Sequence, residues 1–191
     1  MVITYHGDNY FRIQSGEITI LLDPTNQRSF KGADLILSTL RPADVKPPEA
    51  DEEYHWIDHQ GEYEIKTVGV RGWSAGYEDE KEKTIYRINL DDISVVAFGH
   101  LTQEPDSKIQ EHLKKADCVI IPGGGKPWLG TAAAAKLIRQ IEPMIIIPSL
   151  FENIKPFLKE FSQEKCEPEE KLTLKKKDLT GKTMVIKCLK P

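Results

Sequence analysis

The chain lacks any uninterrupted apolar run near the roughly 18 residues a membrane-spanning helix requires, and its amino terminus shows no basic stretch followed by an apolar one. No membrane partner or secretory leader is therefore expected, and the cytoplasm is the expected compartment. Cysteine is scarce: Cys118, Cys166 and Cys188 are the only three in 191 residues, widely spaced and without a Cys-x-x-Cys pair. Such a number and spacing suit a reducing compartment and supply no disulfide framework. Positive charge is not in excess, since 26 basic against 30 acidic side chains leave a formal charge of -4, which argues against nucleic acid as a partner. Linker-like low-complexity stretches are missing too, so residues 1–191 read as a single domain. At that length the chain can bury about two-thirds of its unfolded surface and needs neither metal nor disulfide to fold.

What is present is patterned. Val2 to His6, Asn9 to Gln14 and Glu17 to Leu22 carry the β-branched, alternating residues of short strands, punctuated by Gly7-Asp8 and Ser15-Gly16. Ala33 to Thr39 is almost continuously apolar and predicts a strand buried on both faces, ended by Arg41-Pro42 and Pro47-Pro48. An exposed acidic loop is expected at 49–53. Further strands are predicted at Thr67 to Trp73, Lys83 to Leu90 and Ile93 to Phe98, with an Asp91-Asp92 turn. Helix and strand then alternate: a helix over Asp106 to Lys115, a strand Asp117 to Pro122, and a helix to Ile141 capped by Thr131. Met144 to Pro148 forms the next strand, Asn153 to Ser162 a helix with Pro156 in its first turn, and Thr183 to Leu189 a last strand. Residues 155–191 hold ten Lys and six acids, read as a solvated face rather than a binding patch. Strands followed by strand-helix alternation imply an α/β (α+β) domain.

The order of the motifs resembles the metallo-beta-lactamase superfamily, in particular its small hydrolase branch with the ascorbate-6-phosphate lactonase-like proteins. The segments that carry the likeness are Tyr5-His6-Gly7-Asp8, Leu21-Leu22-Asp23-Pro24, Ala33-Asp34-Leu35-Ile36-Leu37-Ser38-Thr39-Leu40-Arg41-Pro42-Ala43-Asp44-Val45 and Gly61-Glu62-Tyr63-Glu64-Ile65. Phe98-Gly99-His100-Leu101, Ile121-Pro122-Gly123-Gly124-Gly125 and Ile147-Pro148-Ser149-Leu150-Phe151 complete it, so the likeness spans nearly the whole chain. It implies a four-layer αββα sandwich and, in the family, a two-metal centre built on His-x-His-x-Asp-His. Here Leu40, Pro42, Val45 and Leu150 stand where the family has histidine, His100 stands at the metal-bridging Asp, and only Asp44 of the His-x-His-x-Asp-His set is kept.

A zinc hydrolase needs imidazole or carboxylate donors about 2 Å from the ion and an open position for water. Leucine, proline and valine have no electron pair to give. No metal or other cofactor is therefore expected. The aliphatic replacements are expected to fill the old pocket, because hydrocarbon removes the cost of unpaired buried polar groups. The leading expectation is a degenerate, hydrolase-like protein that acts by binding a small molecule or by assembly with a protein partner, a second copy of the chain included. The rival is a hydrolase of a small phosphorylated or cyclic ester in which Asp8, Asp44 and His100 hold one zinc, manganese or iron ion.

Asp44 and His100 are the catalytic candidates of that rival, against the alternative that they only hydrogen-bond to each other. Tyr77 or Glu78 falls where the family has a His-Asp pair, and Asp8, Tyr77, Gly124 and Gly125 are ligand-binding candidates. The Gly123-Gly124-Gly125 loop beside Lys126 could offer amide donors to an anion, but it lacks the rest of a phosphate-loop motif and reads first as a tight turn. Asp23 reads as a backbone cap, and His6, His55, His59 and His112 as surface or structural histidines.

Overall fold

The computed structural model describes residues 1–43, 45–46, 54–181 and 183–191. The strands are β1 (Val2–Tyr5), β2 (Phe11–Ser15), β3 (Ile18–Leu22), β4 (Leu35–Leu37), β5 (His55–Ile57), β6 (Gly61–Ile65), β7 (Val68–Glu78), β8 (Lys81–Leu90) and β9 (Ile93–Ala97). After them come α1 (Ser107–Leu113), β10 (Cys118–Pro122), α2 (Thr131–Ile141), β11 (Ile145–Ser149), α3 (Lys155–Glu160), β12 (Leu172–Thr173), α4 (Lys176–Leu179) and β13 (Val185–Ile186). They form one sheet in the order β12-β1-β2-β3-β4-β5 and a second in the order β13-β11-β10-β9-β8-β7-β6.

The sheets pack face to face. Ile3, Phe11, Ile13, Ile20, Leu22, Leu35 and Leu37 of the first meet Val70, Ile88, Val95, Ile120 and Ile147 of the second in one buried cluster. The other face of the second sheet, through Val96, Val119, Ile121 and Ile146, buries Leu113 of α1, Leu137, Ile138 and Ile141 of α2, and Phe157 of α3. Double burial explains why β9, β10 and β11 read as unbroken apolar runs, and all three pair in parallel. The outer face of the first sheet is covered more thinly. There Leu21 and Ile36 lie under Phe30, from a 3-10 turn at Gln27–Phe30, and under Val45. The expected αββα sandwich is thus formed, with its fourth layer reduced among the described residues to that turn. The acidic loop expected at 49–53 lies outside the described residues.

Two expectations shift. The last strand is much shorter than Thr183 to Leu189, being Val185–Ile186 in parallel beside β11. The cysteines do not all stay apart: Cys166 and Cys188 form a disulfide with Cα atoms 5.9 Å apart, and Cys118 is free and buried. The bridge ties the carboxy-terminal segment to the stretch after α3, a pairing that the sequence reading did not anticipate. Their wide spacing hid a contact made only when β13 docks. No helix among the described residues is long and apolar enough to cross a membrane.

Candidate functional site

Loops at the carboxyl ends of β3, β4, β9 and β11 meet at one edge of the sandwich. With the turn joining β7 to β8, they surround a cleft of about 390 Å³ whose lining includes Asp8, Leu40, Pro42, His100, Trp128 and Leu150. Asp8, in the loop between β1 and β2, anchors its neighbours through its backbone. Its carbonyl oxygen accepts from the Leu150 amide at 3.0 Å and from the Tyr5 hydroxyl at 3.1 Å. Burial, helped by the Asp8 charge, pushes the Tyr5 hydroxyl up to about 12, so it remains a donor.

The most deeply buried carboxylate of the cleft is Asp23, at the end of β3 and only 5% exposed. Its Oδ1 accepts the Thr39 amide N–H at 2.6 Å. Its Oδ2 accepts the Thr39 hydroxyl at 2.5 Å and the Asn9 side-chain amide at 2.5 Å. Burial pushes this carboxyl up, and the His100 ring, the Thr39 hydroxyl, the Asn9 amide and the Thr39 N–H all work in the opposite direction. The expected backbone cap is there, and it also serves a second end. Thr39 Oγ1 lies 3.0 Å from His100 Nδ1, and that nitrogen is 3.8 Å from Asp23 Oδ2. The imidazole meets the Trp128 indole edge to face, ring centres 5.0 Å apart. Gly99 makes this approach of the two strands feasible, because a Cβ there would fall 2.0 Å from Thr39 Oγ1.

The other candidates divide. Asp8 and His100 face the same cleft, whereas Asp44 lies outside the described residues, so the expected Asp44–His100 pair cannot be placed. The partner His100 does have is Thr39, backed by Asp23. Tyr77 is 69% exposed and borders a separate groove with Arg41, Asp58 and His59, while Glu78 and Asp79 line the cleft. Glu78 is held below the usual carboxylate range chiefly by its bond from Lys83 at 2.6 Å. Gly124 borders a second cleft, of about 490 Å³, that shares Asp8, Trp128 and Leu150 with the first; Gly125 borders neither. A Cβ on Gly124 would fall 2.3 Å from the Leu150 carbonyl oxygen, so close packing of two loops is what requires glycine there.

The expectation of a pocket filled by hydrocarbon is overturned. Val45 is 3% exposed, but it packs with Leu21, Phe30, Ala33 and Ile36 on the outer face of the first sheet. Leu40 and Leu150 are only half-buried and wall an open space. Nor do the residues present fit the two-metal centre. Leu40, Pro42 and Leu150 offer no donor, and among the described residues no three His, Cys, Asp or Glu side chains are grouped to hold an ion. Asn9, Thr39 and Trp128 were not singled out from sequence. The Asp-Pro turn and the Ser-Thr end of β4 were visible there, but nothing local showed that they meet.

A family model described as a beta-lactamase superfamily domain matches residues 2–149. Among solved structures, the chain is similar to a Thermotoga maritima protein assigned provisionally to the Zn-dependent hydrolases of the metallo-beta-lactamase superfamily. The two are 18% identical, with a TM-score of 0.79 over 99% of each chain. The metallo-beta-lactamase fold protein YhfI from Bacillus subtilis is 9% identical, with a TM-score of 0.66 over 99% of this chain and 96% of that one. Igni18, a metallo hydrolase from the archaeon Ignicoccus hospitalis, is 14% identical, with a TM-score of 0.61 over 91% and 99%. No curated protein matches the chain in sequence. The likeness holds at the level of the superfamily and singles out no lactonase-like branch within it.

Proposed function

The chain belongs to the metallo-beta-lactamase superfamily, and from that premise we propose that it is a member without the two-metal centre, whose cleft binds a small molecule unaided by metal. One observation carries the reading: Leu40, Pro42 and Leu150, at positions that the family resemblance gives to histidine ligands, wall a cleft of about 390 Å³ that is still open. A concave site with apolar walls and a few convergent polar groups is the usual form of a small-molecule site. Here the walls are Leu40, Pro42, Leu150 and Trp128, and the polar groups are Asp8, Asp79 and His100. Binding is favoured over assembly because the feature is concave rather than a flat apolar face.

A second reading has one observation in its favour. Asp8 and His100 line the same cleft, so with Asp44 they would be the donors for a single zinc, manganese or iron ion in a mononuclear hydrolase. Amide and indole NMR shifts, recorded with a small-molecule fragment library in the presence of a chelator, separate the two. The metal-free reading expects binders whose shifts centre on Leu40, Asp79, His100, Trp128 and Leu150. Binding that appears only when zinc, manganese or iron is added back would support the mononuclear site instead.

A further inference from the structure

The proton positions in the buried chain Asn9–Asp23–Thr39–His100 follow from counting donors. The Asn9 Nδ2 group and the Thr39 amide can only donate, and both point at Asp23. The Thr39 hydroxyl has one proton, and 2.5 Å from a carboxylate oxygen that proton belongs to the Asp23 bond. Toward His100, 3.0 Å away, Thr39 Oγ1 is then an acceptor, so Nδ1 must carry the imidazole proton. That leaves the Nε2 lone pair of a neutral ring, which has no hydrogen-bond partner among the described residues, on a side chain that lines the cleft. Lys81 lines the same cleft, and no carboxylate among the described residues lies within ion-pair distance of its ammonium.

We propose that His100 is a metal-independent general base, held in its Nδ1–H form by Thr39 and Asp23, that activates water against a small uncharged acyl ester in the cleft. The inference rests on the metal-free reading of the site and adds a reaction to it. Nε2 takes a proton as the water oxygen bonds to the acyl carbon. Lys81 faces the negative charge that develops on the carbonyl oxygen. The carbon–oxygen bond to the leaving alkoxide then breaks, and the alkoxide takes the proton back from Nε2, giving a carboxylic acid and an alcohol. Esters are favoured over phosphorylated compounds by the walls of the cleft, since Leu40, Pro42, Leu150 and Trp128 suit an uncharged group. Thr39 and Asp23 are positioning residues, since neither reaches the reacting atoms.

Two readouts on the chelator-treated full chain test this. In the imidazole nitrogen NMR spectrum, His100 is expected to show the proton on Nδ1. Thr39→Val should move it to Nε2, and Thr39→Ser should restore the original pattern. With p-nitrophenyl acetate as probe, steady-state hydrolysis should exceed that of the same concentration of free imidazole and fall about 100-fold in His100→Gln. Far-UV circular dichroism would establish that each variant is folded. A wild-type ring protonated on Nε2 overturns the proposal, because it means that Asp23 holds a proton and the chain runs in reverse. So does hydrolysis that is unchanged in folded His100→Gln or no faster than free imidazole. Hydrolysis that dies with chelator and returns with zinc would instead remove the metal-free reading on which the proposal stands.

Discussion

Replacing Gly99 by alanine tests the packing that brings His100 to Thr39. Gly99 follows β9 with φ at +54°, and a Cβ there would lie 2.0 Å from Thr39 Oγ1, 2.2 Å from its Cβ and 2.5 Å from its Cγ2. Non-bonded carbons rest at about 3.5–4.0 Å, so one strand end must move by about 1.5 Å. Thr39 cannot give way cheaply. Its amide and hydroxyl are both bonded to Asp23, and its carbonyl oxygen accepts the Thr84 amide at 2.8 Å. The left-handed backbone costs a non-glycine residue about 1–2 kcal/mol. Overpacking adds about 1–3 kcal/mol. With a urea slope of about 2 kcal/mol per molar, the unfolding midpoint of Gly99→Ala should fall by roughly 1–2.5 M. Gly16→Ala is the control. Its φ is +56°, but nothing lies within 4 Å of the added carbon, so it carries the backbone cost alone. Midpoints for the two variants within about 0.25 M of one another, or about 0.5 kcal/mol at that slope, would refute the close contact between Gly99 and Thr39.

Three further outcomes are expected. Cys166 and Cys188 are separated by 22 residues, and closing a loop of that size corresponds to about 3 kcal/mol of stability; reduction with dithiothreitol should lower the urea midpoint accordingly and leave a Cys166→Ser/Cys188→Ser variant unmoved. Burial alone would raise the Asp34 carboxyl, but the Lys66 ammonium and the Thr19 N–H outweigh it and hold it below the usual range. A carboxyl depressed in the folded state contributes stability above its unfolded value of about 3.9 and loses it as pH falls through the folded one, so Lys66→Met should flatten the acid limb of stability against pH below about 4. Asp117 accepts the Ser94 amide at 2.8 Å and Lys176 Nζ at 2.8 Å, and Asp117→Ala should cost about 2–4 kcal/mol by calorimetry through the buried Ser94 donors it strands.

The parts of the fold legible in sequence are those whose burial is written locally. Doubly buried β9, β10 and β11 stand out as apolar runs, and α1 begins where Asp106 accepts the Ile109 amide at 2.8 Å. α2 begins at Thr131 itself, with Gly130 as the cap, one residue from the expectation. β12 and α4 span only two and four residues, too few to show any period.

At the site, the sequence brought Asp8, His100, Leu40 and Leu150 together through the order of motifs, and the structure puts all four around one cleft. The expected filling by Leu40, Val45 and Leu150 failed because Val45 packs on the outer face of the first sheet, outside the lining of the cleft. Tyr77 lies outside the lining of that cleft for a physical reason as well. The pairing of β7 with β8 shifts register between Ser74 and Tyr77, and a one-residue slip exchanges the faces of a strand. The hydrogen-bond chain behind His100 was invisible because the pairing of β3 with β4 is what brings Thr39 to Asp23, 16 residues away, and the docking of the second sheet is what brings His100, 61 residues away, to Thr39.

Elemental mass spectrometry of protein purified without chelator or a nickel column, then dialysed against trace zinc, manganese and iron, bears most directly on a cleft that works without metal. The account predicts well under 0.1 ion of any of the three per chain, as expected for donors too few to form a closed set. About one ion per chain, lost together in His100→Gln and Asp8→Asn, would contradict it.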